Sequence, residues 1–159
     1  MHFTANIGRA RWASPNGKSV GSFRPNGGPQ LVGNPAGWSS TDPLMAARLF
    51  VGFSVGQKAR WHVDDLIRVV TRLRKKQGRV LDSSFLVQKG IYTSKLSGET
   101  VTEDGAQVLI LNLDGLKAKD FEEDMVALAE GVARALKQEE VIVELQKGGQ
   151  VKKTIGVVP

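Results

Sequence analysis

Few side chains in this sequence are placed for covalent or acid–base chemistry. Cysteine is absent, which excludes a thiolate nucleophile, a thiolate zinc site and a disulfide framework. Of the two histidines, His2 and His62, the second lies beside Trp61 and two residues before Asp64. A small enzyme would centre on it, with His62 as general base or metal ligand and Asp64 or Asp65 as its partner. A helix-start residue satisfied by local hydrogen bonds is the plainer account. Acids cluster at Asp64/Asp65, Glu103/Asp104 and Glu122/Glu123/Asp124. Consecutive acids on a helix point to different sides, and at helix starts the dipole explains them. Gly52 and Gly56 lack the spacing of a phosphate loop, and the serine-hydrolase and zinc-protease motifs are missing. The sequence therefore assigns no catalytic residue, no metal and no cofactor.

Binding chemistry is better represented. The formal charge is +6, and residues 57–79 alone hold eight basic side chains against Asp64 and Asp65. Arg68, Arg72, Lys75 and Lys76 fall at helical spacing along one side, and Arg74 and Arg79 extend the charge. Such a row could follow a phosphate backbone through counterion release, and Arg9, Arg11 and Arg24 could assist it from the N-terminal segment. Equally, it could be a solvated helix face.

Residues 1–46 form a Gly/Pro-rich arm with seven glycines and five of the six prolines. Turn signals at Pro15-Asn16-Gly17, Pro25-Asn26-Gly27-Gly28 and Asn34-Pro35-Ala36-Gly37 leave no room for a helix. The arm nevertheless carries Phe3, Trp12, Phe23 and Trp38, large apolar groups that disordered segments tend to lack.

Residues 47–159 read as a regular α+β domain. Strands are expected at 48–55, 83–93, 107–113, 141–146 and 151–157, and helices at 63–77 and 117–137. Asp64 and Asp65 open the first helix and Gly78 closes it. Gly148-Gly149 marks a hairpin. The order β-α-β-β-α-β-β resembles the ferredoxin-like, or split βαβ, antiparallel sheet with two helices on one face and an extra C-terminal strand.

In the third strand, Val108 and Ile110 point one way while Leu109, Leu111 and Leu113 point the other. Both sheet faces must then be covered, although the helices reach only one. Trp12, Phe23 and Trp38 of the arm, or a second subunit, would cover the rest. The leading expectation is a non-enzymatic assembly protein, a homo-oligomer or part of a larger complex; the alternative is a nucleic-acid-binding protein. The apolar run Val108–Leu111 is too short to span a bilayer, so a soluble, cytoplasmic protein without a membrane partner is expected.

Overall fold

The structure is a computed structural model that describes residues 7–13, 19–33, 45–78, 84–96 and 99–159. Its elements in chain order are β1 (Ala10–Ala13), β2 (Ser19–Pro25), β3 (Gln30–Val32), β4 (Met45–Gly52), β5 (Ser54–Val55), β6 (Lys58–Ala59), α1 (Val63–Gln77), β7 (Phe85–Leu96), β8 (Glu99–Leu111), α2 (Ala118–Ala135), β9 (Val141–Lys147) and β10 (Gln150–Val157). Trp38, Arg79, Phe3 and the expected turns at 15–17 and 34–37 lie outside the described residues. Among those described, no helix is long and apolar enough to cross a membrane.

The helices form where apolar periodicity placed them. Leu66 and Val70 are buried on α1, which ends at Gly78 in the left-handed conformation (φ 67°). Phe121, Met125, Leu128, Ala129 and Val132 are the buried face of α2. Both helices pack on one side of the sheet, against Ala47, Leu49 and Val51 of β4, Val108 and Ile110 of β8, and Val141 and Val143 of β9.

The ferredoxin-like expectation is overturned by the sheet itself. Eight strands form one antiparallel sheet in the order β1-β2-β7-β8-β4-β9-β10, with β3 also pairing on β7. The result is a mostly-strand, nearly closed, barrel-like sheet. Two facts explain the departure. β7 and β8 run 12 and 13 residues, well past the region that the helices cover. The projecting part of β7 then offers a pairing edge, and β2 takes it from Ser19↔Leu96 to Pro25↔Gly90. Strands β1, β2 and β3, from the segment read as an arm, thus belong to the same sheet as β4 and β7–β10.

The curl of this sheet is measurable. β1 and β4 are four strand positions apart, about 19 Å in a flat sheet. Yet the rings of Trp12 on β1 and Phe50 on β4 stack with centroids 4.8 Å apart. The face away from the helices is therefore a concave interior with its own contents. Following β4 and β8 towards one end, side chains on this inner face pass from apolar (Ala46, Leu109, Leu111) through polar (Arg48, Gln107) to aromatic or glycine (Phe50, Gly52, Gly105).

The polar layer is fully buried and paired. Arg48 Nε and Nη2 both lie 2.7 Å from Glu144 Oε1, and Gln146 Nε2 donates to the same oxygen at 2.9 Å. Arg48 Nη1 and Gln107 Nε2 each donate to the Gly8 carbonyl at 3.2 Å. Gln107 Nε2 also reaches Gln88 Oε1 at 2.7 Å. The network thereby ties the residues leading into β1 to the centre of the sheet.

Removing one partner of a buried ion pair strands the other charge in a low-dielectric interior. Arg48→Ala is expected to lose about 3–5 kcal/mol of stability in urea unfolding. The paired change Arg48→Met/Glu144→Leu should recover most of that loss, because it leaves no unpaired charge.

Candidate functional site

At the open end of the curled sheet, titratable groups gather on the inner face. Tyr92 of β7 and Glu103 of β8 are directly paired across the hairpin, so their side chains emerge side by side. Tyr92 is 9% exposed, while Glu103 is half-buried. The backbone N–H of Ser54 donates to Glu103 Oε1 at 3.4 Å. Gln138, buried after α2, donates to the carbonyls of Ser54 and Leu136, both at 3.0 Å, and so holds this corner together. Gly52 leaves room for the Glu103 carboxylate, which a Cβ there would push aside. Glu140, just before β9, packs against Gly156 in the same way.

Electrostatics set these groups apart from the surface acids. Partial burial raises the Glu103 carboxyl above the ordinary glutamate value, against the opposing pull of the Ser54 and Phe53 backbone N–H groups. Burial likewise raises Glu140. Tyr92 is pushed well above the usual phenol value, first by burial and then by the charges of Glu140 and Glu103. Two partly desolvated carboxylates beside a buried phenol are an arrangement typical of a functional site. Chemically they can bind a cation or hold a proton.

Aromatic rings back this cluster. Trp12 is tilted against Tyr92 at 5.6 Å between centroids, and Phe23 against Phe50 at 5.7 Å. Trp12 also lines an open cleft of about 590 Å3, together with Arg11, Ser22, Thr93, Lys95 and Thr100. Arg11, Ser22, Thr93, Lys95 and Thr100 alternate with Trp12, Gly21 and Tyr92 along their strands, so this cleft opens on the outer face of the sheet, away from Glu103.

Two solved structures are similar to this chain. One, described as a phage SAM lyase in complex with S-methyl-5'-thioadenosine, is 38% identical with a TM-score of 0.63, covering 73% of this chain and 90% of its own. The other, a phage SAM lyase in the apo state, is 35% identical with a TM-score of 0.64, covering 74% and 90%. The chain belongs to the phage SAM lyase family. No known family profile and no curated protein matches it.

Membership in a lyase family corrects the functional expectation. A non-enzymatic assembly protein, and its nucleic-acid-binding alternative, are both overturned by relatives that are enzymes. The residues named for assembly are largely interior: Phe23, Leu109 and Leu111 are buried, and Trp12 and Leu113 half-buried. The second sheet face is covered by the curl and by β1 and β2 of the same chain. Arg68, Arg72, Lys75 and Lys76 do line an exposed side of α1, on the opposite side of the sheet from Glu103. Arg68 pairs with Asp65 at 2.6 Å. Arg74 leaves the row altogether; it is buried, 3.1 Å from Asp124. Arg9, Arg11 and Arg24 are exposed near the sheet edge.

His62 is the N-cap of α1, where its backbone N–H donates to Asp65 Oδ2 at 2.9 Å. It lines a cleft with Asn26, Trp61, Lys89 and Asp104. Asp104 and Glu103 are neighbours on a strand and face opposite ways, so His62 lies across the sheet from the carboxylate cluster. Among the described residues, no group of three His, Asp or Glu side chains is placed to hold a metal. Sequence reasoning missed Tyr92, Glu103, Gln138 and Glu140. The available signal was the β-branched run Thr100-Val101-Thr102, which marks Glu103 as a strand residue rather than a loop acid.

A raised carboxyl pKa has a definite consequence for stability. Ionising Glu103 costs more in the folded chain than in the unfolded one, so its contribution is intact below the ordinary glutamate pKa and is lost as pH rises through the folded value. Glu103→Gln is therefore expected to gain Tm relative to the parent between pH 5 and pH 8 (about the span over which such groups ionise). Thermal melts across that range check the sign; a difference that stays flat or shrinks contradicts it.

Proposed function

We propose that this chain cleaves S-adenosylmethionine without adding water, releasing S-methyl-5'-thioadenosine. The observation that carries the reading is the Tyr92–Glu103 pair with Glu140 on the inner face of the sheet, in a chain similar along 90% of a lyase held in complex with that thioether.

The chemistry suits this surface. The substrate carries a permanent positive charge on sulfur, bonded to a methyl group, the ribose carbon and the γ-carbon of an aminobutyrate arm. A product that keeps both the methyl and adenosyl groups requires the sulfur–γ-carbon bond to break. With no water added, the substrate's own carboxylate oxygen bonds to the γ-carbon as the electron pair of the broken bond passes to sulfur. The products are the neutral thioether and α-amino-γ-butyrolactone, and no proton, oxidant or metal is consumed.

Such a reaction annihilates charge. It is accelerated where water is excluded, as beside the buried Tyr92 and the rings of Phe23 and Phe50. The α-ammonium of the substrate stays positive throughout, and ionised Glu103 and Glu140 are the groups suited to hold it. Binding a folded-back arm in this way places carboxylate and γ-carbon in line, which is where positioning lowers the barrier.

Incubating the purified protein with S-adenosylmethionine and separating the products by chromatography and mass spectrometry tests the reading. Thioether plus lactone (or the homoserine formed from it) is expected. Glu103→Gln should lower kcat/KM by about 100-fold or more. The parent's activity should also fall on the acid side at a higher pH than an ordinary glutamate would dictate, since only the ionised carboxylate holds the ammonium. A folded protein that yields no thioether sinks the proposal.

A further inference from the structure

We propose that Gln138 is a positioning residue for Glu103: it holds the Ser54 carbonyl, and so aims the Ser54 backbone N–H at the carboxylate that meets the substrate's ammonium. The inference rests on the lyase reading above. It adds a residue that acts on the reaction through Glu103 rather than by touching substrate.

The segment that needs holding is short. β4 ends at Gly52, and the chain then leaves the main sheet for the two-stranded β5–β6 pair. Phe53 is still tied to β8, its N–H donating to the Asp104 carbonyl at 2.9 Å, and its own carbonyl accepts from Arg60 and Trp61 at 3.0 Å. One residue further on, the Ser54 N–H reaches Glu103 Oε1 at 3.4 Å, too long a contact to fix the backbone by itself. What fixes it is the other end of the same residue, where the Ser54 carbonyl accepts from Gln138 Nε2 at 3.0 Å. Glu103 depends on this arrangement. Among the described residues, the titratable groups on its side are Tyr92 of β7 and Glu140 before β9, and neither favours its ionised form. The Ser54 and Phe53 N–H groups are what opposes the cost of burying the carboxylate.

The chain presents Gln138 at a local cost. The turn after α2 is a Schellman motif, in which the Lys137 N–H donates to the Arg134 carbonyl at 3.3 Å and the Gln138 N–H to the Ala133 carbonyl at 2.8 Å. Its left-handed position is Lys137 (φ 51°), the one non-glycine among the described residues with a positive φ, where glycine would be unstrained. The position after it commonly makes an apolar contact back to the helix. Here it carries an amide, 7% exposed. Both contacts of Nε2 are carbonyls, those of Ser54 and Leu136, which only the nitrogen end of the amide can serve. Oε1 is thereby turned towards the same corner as the carboxylate: a Cβ at Gly52 would meet both Glu103 Oε1 and Gln138 Oε1. Packing alone would be satisfied by an apolar side chain of this length.

Gln138→Met keeps the length and the buried stem and removes the donor. Carbon-13 NMR of the side-chain carboxyls follows Glu103 in the ligand-free protein, its signal identified by its loss in Glu103→Gln. In Gln138→Met the Glu103 titration midpoint is expected to move to higher pH, because the ionised form loses its backbone donor. The acid limb of kcat/KM for S-adenosylmethionine should move with it, and kcat/KM at its plateau should fall about tenfold. In the Glu103→Gln background the same substitution should change kcat/KM little. A midpoint that stays put, or a second loss of about tenfold in that background, overturns the inference, since Gln138 then acts on the fold and not through Glu103. If Gln138→Met fails to fold, Gln138→Asn decides by the same titration, its amide being one methylene short of Ser54. The titration needs no turnover: a parent that forms no thioether defeats the lyase reading, whereas an active parent with an unmoved midpoint in the variant defeats only this inference.

Discussion

The contact between Trp12 and Phe50 requires β1 to swing over the sheet until it faces β4, and the rest of the architecture follows from that closure. An open sheet with helices on one side would leave Phe50, Leu109, Leu111 and Ile142 in water. Curling lets a chain of 159 residues bury both faces without a third layer. The bend coincides with a cross-strand row of small residues, Gly90 beside Gly105 beside Gly52, where strands lacking side chains can crowd together. Phe23 occupies the space over Gly90 that a side chain would otherwise fill. Closure also forces polar groups into the interior. They are tolerated because Arg48, Glu144, Gln107, Gln88 and Gln146 satisfy one another.

The same curl gives the molecule two cores with different tasks. The helix-side core, from Ala47 to Val157, is built mainly from apolar side chains, with the Arg74–Asp124 pair between the helices, and supplies rigidity. The inner core changes character along its length, and it ends where Tyr92, Glu103 and Glu140 meet solvent. A site built on paired strands and braced from behind by stacked rings is held more precisely than one built on loops. Keeping Glu103 half-buried opposes stability, a cost that a purely structural residue would have no reason to retain.

Much of the skeleton was legible in the amino-acid pattern. The apolar period of α1 and α2, the capping position of Gly78 and the hairpin at Gly148-Gly149 (φ 61° and 78°) are all local signals, and local signals survive into the structure. The two apolar faces of β8 were equally readable. The failures have a common cause in long-range pairing. The expected strands 83–93 and 107–113 stop short of the long β7–β8 hairpin because one face of it is solvated, through Thr93, Lys95, Thr100 and Thr102. Arg74 looked exposed because its partner Asp124 lies on the other helix. The arm looked separate because its strands are short and broken by turns, and only the projecting edge of β7 turns them into sheet. The Tyr92–Glu103 pair depends on the register of that same hairpin, so no spacing along the chain announces it.

Strand alternation also accounts for how a basic chain keeps an acidic site. Adjacent residues on β8 point to opposite sides, so Asp104 joins the helix-side cleft of His62 and Lys89 while Glu103 enters the concave interior. The exposed cations of α1 are separated from Glu103 by the sheet itself, whose low-polarity core does not screen them but whose thickness, about 10 Å to the packed layer, weakens their reach at the site. Glu103 and Glu140 therefore determine the local field, although the chain as a whole is positive. A cation on that side would meet these two carboxylates in spite of the chain's net positive charge.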